Sequence, residues 1–247
     1  MWDWLNMVGL RKKIKREIIA NAESLEVRVA IMEDGRLEEC AIERPTEERI
    51  VGSIYKGRIQ NLEDGLQAAF VDIGLKKNAF IHYWDMIPED AARLEAEEGV
   101  AANRPRRKKT QPGEMAKQFP PGSEIVVQVT KGPIGTKGPR VTANLSVPGR
   151  YLVMMPGSKL KGVSRKIEDG KERDRLKKIL SRLPIPSSIG LIIRTSAEGA
   201  RAASFARDLR GLLDIWQKIE DGIKNNSAPC CLYHEPDLVE RIVRDSL

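Results

Sequence analysis

The sequence has few of the residues from which enzymes build nucleophiles and metal sites. Its 247 residues include three cysteines and two histidines, and neither His82 nor His234 has a second ligand at the spacing of a metal motif. Cys40 stands alone and Cys230 and Cys231 are adjacent, so the cysteines form neither a disulfide framework nor a zinc set. This usage fits a reducing, cytoplasmic environment. No glycine-rich phosphate loop, nucleophile elbow or Ser/His/Asp set is evident.

Long apolar runs are also missing, since none approaches the roughly 18 residues that span a bilayer. At the start of the chain, Trp2, Leu5 and Val8 recur at helical spacing and basic residues follow as far as Arg16. The charges come after the apolar part, which is the reverse of a secretory signal. We expect residues 1–16 to form a basic amphipathic tail. It either lies on an anionic membrane or serves as a frayed or partner-docking arm, and the sequence leaves both open.

Acidic residues are absent from one long stretch, which runs from Lys131 to Lys166 and contains eight basic residues. The whole chain has a formal net charge of +7. A basic excess is the usual footprint of a polyanionic partner, so we expect this stretch to lie over an anion. The alternative is a solvated loop region whose counter-charges come from elsewhere in the fold.

Short strand patterns separated by glycine-rich turns are what the sequence does contain. Five segments have this pattern: 50–59, 65–74, 78–82, 124–131 and 140–147. They are typical of a small antiparallel barrel that binds nucleic acid. Phe70 and Phe80 provide rings on which bases can stack, and Lys56 and Arg58 provide cations for phosphates.

Two further features flank these strands. Asp34-Gly35 joins two alternating segments within 25–42 and predicts a β-hairpin, which needs a partner elsewhere in the chain. Residues 100–123 are rich in proline and basic residues and predict a mobile loop. Its charges either clamp RNA nonspecifically or belong to an ordinary solvated insertion.

A second α+β unit follows the barrel. It has predicted strands at 151–155 and 190–195, a charged helix at 171–183 and an amphipathic helix with a core-facing stripe from Phe205 to Ile219. Arg194 and Thr195 end the second of these strands, which is buried, and there they form either a phosphate cradle or a structural ion pair. We expect Gly149 to add exposed backbone N–H groups beside them.

Taken together, several segments resemble the amino-terminal half of the bacterial ribonuclease E/G endoribonucleases. The resemblance is carried by residues 54–57, 68–72, 145–155, 162–165 and 190–195, and it extends from about Glu17 to the last residue. It implies an α+β fold in which a five-stranded OB-type barrel is inserted between a ribonuclease-H-like hairpin and a 5′-sensor subdomain. The implied parts are the ribonuclease-H-like segments 17–49 and 237–247, the barrel 50–143 and the sensor 144–236.

The resemblance also implies which residues contact RNA. Single-stranded RNA would be held by Lys56, Phe70, Phe80, Lys131 and Lys137. A 5′-monophosphate would be held by Gly149, Val153, Arg165, Arg194 and Thr195.

The chain departs from the family in catalysis. Family members continue into a domain that supplies two aspartates for magnesium and a cysteine pair that shares zinc between subunits, and this sequence stops first. We therefore expect no cofactor in this chain and recognition of RNA without cleavage. The resemblance implies a homo-oligomer for the full-length form, and the sequence leaves the assembly state of this chain open. Two alternatives are a stand-alone RNA-binding regulatory module and an adaptor for protein partners with Phe70 and Phe80 packed inside.

Overall fold

The computed structural model describes residues 15–44, 50–87 and 113–246. These residues form two compact units, one from 15–44 and 236–246 and the other from 50–87 and 113–235. Residues 1–14 of the expected basic tail and residues 100–112 of the expected loop lie outside the described residues. For residues 113–123 the expectation of a mobile loop was wrong, because Glu114–Gln118 form a helix whose Met115 is buried in the barrel core. No helix in the described part of the chain is long and apolar enough to cross a membrane.

The strands are β1 (Arg16–Ala22), β2 (Val27–Glu33), β3 (Arg36–Glu43), β4 (Ile54–Glu63), β5 (Ala68–Asp72), β6 (Ala79–His82), β7 (Glu124–Lys131), β8 (Arg140–Thr142), β9 (Val147–Pro148), β10 (Leu152–Pro156), β11 (Lys161–Val163), β12 (Ile189–Ile193) and β13 (Cys230–Tyr233). The helices are α1 (Tyr83–Met86), α2 (Glu114–Gln118), α3 (Gly170–Arg182), α4 (Ala202–Asn225) and α5 (Leu238–Ser246).

The first unit is a three-stranded antiparallel sheet in the order β1-β2-β3, with α5 packed on it. Asp34 and Gly35 form the turn between β2 and β3 with φ values of 47° and 78°, which confirms the predicted hairpin. Both residues are left-handed, as the turns that suit twisted hairpins require. Val29 is buried, and the backbone N–H of Leu238 donates to Glu43 Oε2 at 2.8 Å at the start of α5.

The second unit contains a closed barrel of five strands. The order is β4-β5-β6-β8-β7, and β4 pairs with β7 to close it. This confirms the predicted OB-type barrel, but the prediction of an all-antiparallel sheet was wrong, because β6 and β8 run parallel. Gly57 lets β4 pack closely against β5: a Cβ there would lie 2.6 Å from Val71 Cγ1 and 2.9 Å from the carbonyl oxygen of Asp72. The barrel interior is apolar and includes Ile59, Val71, Ile81, Val127, Val129 and Val141.

The remainder of this unit is a four-stranded sheet in the order β11-β12-β10-β9, with residues of α3 and α4 in its core. The stripe predicted on α4 is confirmed, since Phe205, Leu209, Leu212 and Ile219 are buried there. β13 pairs with β4 of the barrel, and Ile54 of β4 belongs to the same apolar core as this sheet. The barrel and the four-stranded sheet therefore form one packed body.

Candidate nucleic-acid interface

Two phenylalanines lie side by side on the outer surface of the barrel. Phe70 and Phe80 are directly opposite each other on β5 and β6, with ring centroids 5.9 Å apart and ring planes at 76°. Both are half-buried, whereas their neighbours in the chain, such as Val71 and Ala79, are buried. Since neighbouring residues on a strand point to opposite faces, the two rings point outward. This placement removes the basis of the adaptor interpretation, which required both rings inside.

The row of side chains continues across the barrel from these rings. Phe80 lies opposite Arg140 of β8, and Arg140 lies opposite Lys131 of β7. The order across four strands is therefore Phe70, Phe80, Arg140 and Lys131. Lys131 is exposed, and Arg140 forms an ion pair with Asp85 at 3.2 Å. Rings next to cations are the combination that holds bases and phosphates of a single strand.

The aromatic surface also extends along β6 into α1. His82 lies 4.7 Å from Phe80 between ring centroids, and Trp84 stacks on His82 at 4.0 Å with ring planes 18° apart. In the sequence, His82 was noted only for lacking a second metal ligand, and Trp84 was not noted at all. The signal was present in the alternation of residues 80 and 82, which places both on one face of a strand.

The loop between β7 and β8 carries the exposed Lys137 beside this surface. Lys137 and Ile134 exchange backbone hydrogen bonds of 2.9 and 3.2 Å across the loop. Gly138 packs so closely on the residue before β6 that a Cβ would lie 2.0 Å from the carbonyl oxygen of Asn78, and the N–H of Phe80 donates to Pro139 O at 2.7 Å. The loop is therefore held in place next to Phe80.

Lys56, which was expected to contact RNA, has a structural position instead. Its side chain is only 12% exposed, and its ammonium forms an ion pair with Glu124 at 2.7 Å. The same ammonium donates to the carbonyl oxygens of Ile223 at 3.0 Å and Asn226 at 2.9 Å, at the carboxyl end of α4. The hydrogen bond from Lys56 and that from the Ala228 backbone hold the pKa of Glu124 below its usual value. We therefore remove Lys56 from the proposed RNA contacts.

The second candidate site lies at one edge of the four-stranded sheet. β11 and β12 run parallel and end side by side, because Val163 is in register with Ile193. The next residues of each strand include Arg165 and Arg194, and β9 ends at the same edge just before Gly149. The sheet thus brings together Gly149, Arg165, Arg194 and Thr195, which are far apart in the sequence.

Arg165 and Thr195 are exposed at this edge. Val153 lies one position inside on β10, in register with Ile192, and is half-buried on the face opposite Leu152. The backbone N–H of Arg194 donates to Tyr151 O at 2.8 Å, and its Nη1 donates to Gly149 O. Two arginines and a threonine thus follow the strand ends at the edge to which Val153 belongs.

The backbone N–H groups near Gly149 are not available to a ligand, so that expectation was wrong. Gly149 donates to Leu152 O at 2.7 Å. The N–H groups of Arg150, Tyr151 and Leu152 all donate to the carboxylate of Asp208, at 3.1, 2.8 and 2.9 Å. Asp208 lies on α4 more than fifty residues away, and nothing in the local sequence marks it.

The residues present do not fit the magnesium or zinc of the resemblance. Within 15–44, 50–87 and 113–246, no group of three or more His, Cys, Asp or Glu side chains is placed to hold a metal ion. We derive no chemical step through a metal.

Comparison with known proteins agrees with this fold. Residues 146–247 match the model of the Ribonuclease E/G family. Ribonuclease G of Escherichia coli K12 is 41% identical over 229 residues, covering 93% of this chain and 45% of the relative. Ribonuclease E of Haemophilus influenzae is 35% identical over 235 residues, covering 95% of this chain and 24% of the relative. Ribonuclease E of a Nostoc species is 34% identical over 232 residues, covering 94% of this chain and 30% of the relative.

The chain belongs to the Ribonuclease E/G family. It spans 45% of the length of the Ribonuclease G relatives that it matches.

Proposed function

We propose that this chain provides the RNA recognition of a ribonuclease E/G type endoribonuclease that acts in RNA processing and decay. It binds single-stranded RNA and prefers a 5′-monophosphate end. The observation that carries the proposal is the meeting of Arg165, Arg194 and Thr195 at one sheet edge. The barrel with its outward-facing Phe70–Phe80 pair belongs to the same compact unit.

On the barrel, bases stack on Phe70 and Phe80 while Lys131 and Lys137 neutralise phosphates. Stacking does not distinguish the bases, because every base has an aromatic face, so this contact is tolerant of sequence. The cations make binding sensitive to salt, because each neutralised phosphate releases counterions. The barrel thus grips the strand without selecting its sequence.

At the sheet edge, the terminal phosphate is the ligand. A guanidinium binds phosphate through two parallel hydrogen bonds, and the hydroxyl of Thr195 adds a further donor. A 5′-monophosphate has more negative charge and one more terminal oxygen than an internal diester, so Arg165 and Arg194 favour it. Val153 offers the first base an apolar contact.

The two contacts reinforce each other because the barrel and the sheet are rigidly joined. Lys56 connects β4 to the end of α4, and β13 pairs with β4. Once the barrel holds a strand, its 5′ end meets the sheet edge at a high effective concentration. An RNA too short to reach both contacts should lose most of the preference for the monophosphate.

Cleavage is not part of the proposal for this chain. Magnesium and structural zinc would be supplied by parts of the longer relatives that these 247 residues do not cover. Homo-oligomers belong to the same full-length form, and residues 1–16 are proposed to contact anionic membranes peripherally. The absence of cleavage would be contradicted if the purified chain turned over RNA with magnesium and substitutions in the chain itself abolished this activity. Failure to float with anionic vesicles would contradict the membrane contact.

The test compares two RNAs of one sequence that end in a 5′-monophosphate or a 5′-hydroxyl. We expect the monophosphate RNA to bind about tenfold more tightly, which corresponds to about 1.4 kcal/mol. Arg194→Ala should remove this difference and leave the hydroxyl RNA unaffected. Arg182→Ala is the matched control, since Arg182 is exposed at the far end of α3, roughly 20 Å along the helix from the site. Equal affinities for the two RNAs would refute the 5′-phosphate site.

A further inference from the structure

A single carboxylate holds the turn that borders the proposed 5′-phosphate site. Asp208 accepts hydrogen bonds from three consecutive backbone N–H groups, those of Arg150, Tyr151 and Leu152. Hydrogen bonds to an ionised acceptor are roughly twice as strong as neutral ones. The turn from β9 to β10 therefore takes its shape from a side chain on a distant helix.

The glycine at position 149 is explained by the same carboxylate. A Cβ on Gly149 would lie 2.6 Å from Asp208 Oδ1, 2.7 Å from Oδ2 and 2.9 Å from Cγ. Real Cβ atoms do not approach other atoms so closely, so any larger residue at 149 must displace Asp208 from the turn. Glycine is required here because the carboxylate lies directly beside it.

The carbonyl groups of this turn accept hydrogen bonds from the segment that carries Arg194. Gly149 O accepts from Arg194 Nη1, and Tyr151 O accepts from the backbone N–H of Arg194 at 2.8 Å. Arg150 O accepts from Ser196 Oγ at 2.6 Å. Three successive carbonyl groups thus position the residues on either side of Thr195.

We propose that Asp208 is a positioning residue for the 5′-phosphate site and that Gly149 acts through Asp208 rather than by touching the phosphate. This inference rests on the proposed function. Asp208 orients the turn, the turn orients Arg194 and Ser196, and the phosphate meets a preformed set of donors. Its benefit outweighs the repulsion between its own charge and the phosphate, because the dipoles of three N–H groups offset part of that charge.

The sign of one substitution separates positioning from simple repulsion. Asp208→Asn removes the negative charge but replaces one acceptor oxygen with an NH₂ group that faces the backbone donors. If Asp208 only repelled phosphate, this variant would bind monophosphate RNA more tightly. If Asp208 positions the turn, the ratio of monophosphate to hydroxyl affinity falls, by about tenfold for a lost charge-assisted bond.

The variants are measured in the full chain with the pair of RNAs described above. Asp208→Asn should lower the affinity ratio, while the affinity for the hydroxyl RNA stays within about twofold because the barrel is untouched. Asp214→Asn is the matched control, since Asp214 is an exposed carboxylate on the same helix. An unchanged affinity for the hydroxyl RNA shows that the variant is folded. A variant that had lost its structure would bind neither RNA.

A double-mutant cycle then tests the role of Gly149. Gly149→Ala should lower the affinity ratio in the wild-type background, because the new methyl group expels the carboxylate. In the Asp208→Ala background the carboxylate is gone, so Gly149→Ala should change the ratio by less than about twofold. Equal losses in both backgrounds would mean that Gly149 meets the phosphate directly, which would overturn the inference.

Two outcomes distinguish this inference from the function on which it rests. If the wild-type chain does not prefer the monophosphate, the proposed 5′-phosphate site fails and the role of Asp208 fails with it. If the wild type prefers the monophosphate and Asp208→Asn keeps or raises the ratio, only the role of Asp208 is overturned. Faster amide hydrogen exchange at Tyr151 and Leu152 in Asp208→Asn would support the positioning role.

Discussion

Replacing Lys56 with methionine separates a structural role from an RNA contact. Lys56→Met keeps most of the length of the side chain and removes the ammonium that contacts Glu124, Ile223 O and Asn226 O. Two hydrogen bonds from a charged donor disappear at a site where the side chain is only 12% exposed. Such bonds contribute about 1.5–3 kcal/mol each. The lost ion pair with Glu124 is given little weight, because Glu124 is 39% exposed and stays near Arg58. We expect a loss of roughly 3 kcal/mol in the free energy of unfolding.

The assay is thermal and denaturant unfolding together with RNA binding. For a unit of this size, 3 kcal/mol corresponds to a fall in the melting temperature of about 6–12 °C. At a temperature where the variant is folded, the dependence of RNA affinity on salt should be unchanged. Lys131→Met, which alters an exposed lysine of the same barrel, serves as the control and should show the opposite pattern. Unchanged stability combined with a weaker salt dependence in Lys56→Met would refute the structural assignment.

Three further predictions concern the barrel and the acid stability of the fold. Phe70→Ala and Phe80→Ala should each weaken binding of single-stranded RNA by about 1–3 kcal/mol in fluorescence anisotropy without changing its salt dependence. Lys137→Ala should instead reduce the slope of log affinity against log salt by about 0.7, and an unchanged slope would exclude its phosphate contact. Hydrogen bonds from Arg175 and from the Gly199 backbone lower the pKa of Glu172 to about 2 from its ordinary value of 4.5. Because the folded-state pKa is depressed, its stabilisation is complete above 4.5 and is lost as the pH falls towards 2. Glu172→Gln should therefore unfold more easily than the wild type at pH 7, and denaturation curves of the two should converge as the pH falls through this range.

Local patterns in the sequence were sufficient to predict most of the strands and the two long helices, α3 and α4, that pack with the four-stranded sheet. The Asp34-Gly35 turn, the alternation around Phe70 and Phe80 and the stripe on α4 depend on neighbours along the chain, and the structure confirms them. β1, β11 and β13 were missed, because each is defined by the strand it pairs with more than by its own composition. The parallel pairing of β6 and β8 was likewise invisible, since local pattern does not encode strand direction.

The sequence by itself determined that this protein has a small barrel with phenylalanines on two of its strands and a long stretch with cations but no acids. That both rings face outward was decided by the structure. Only the tertiary structure decided what each charge does. Lys56 and Lys131 are both barrel lysines, but the end of α4 surrounds the ammonium of one and leaves the other exposed. Asp208 looks like any helix-surface acid, but it takes the backbone donors expected to hold a phosphate. The physical reason is that a charged group's role depends on the desolvation and partners that distant segments bring to it.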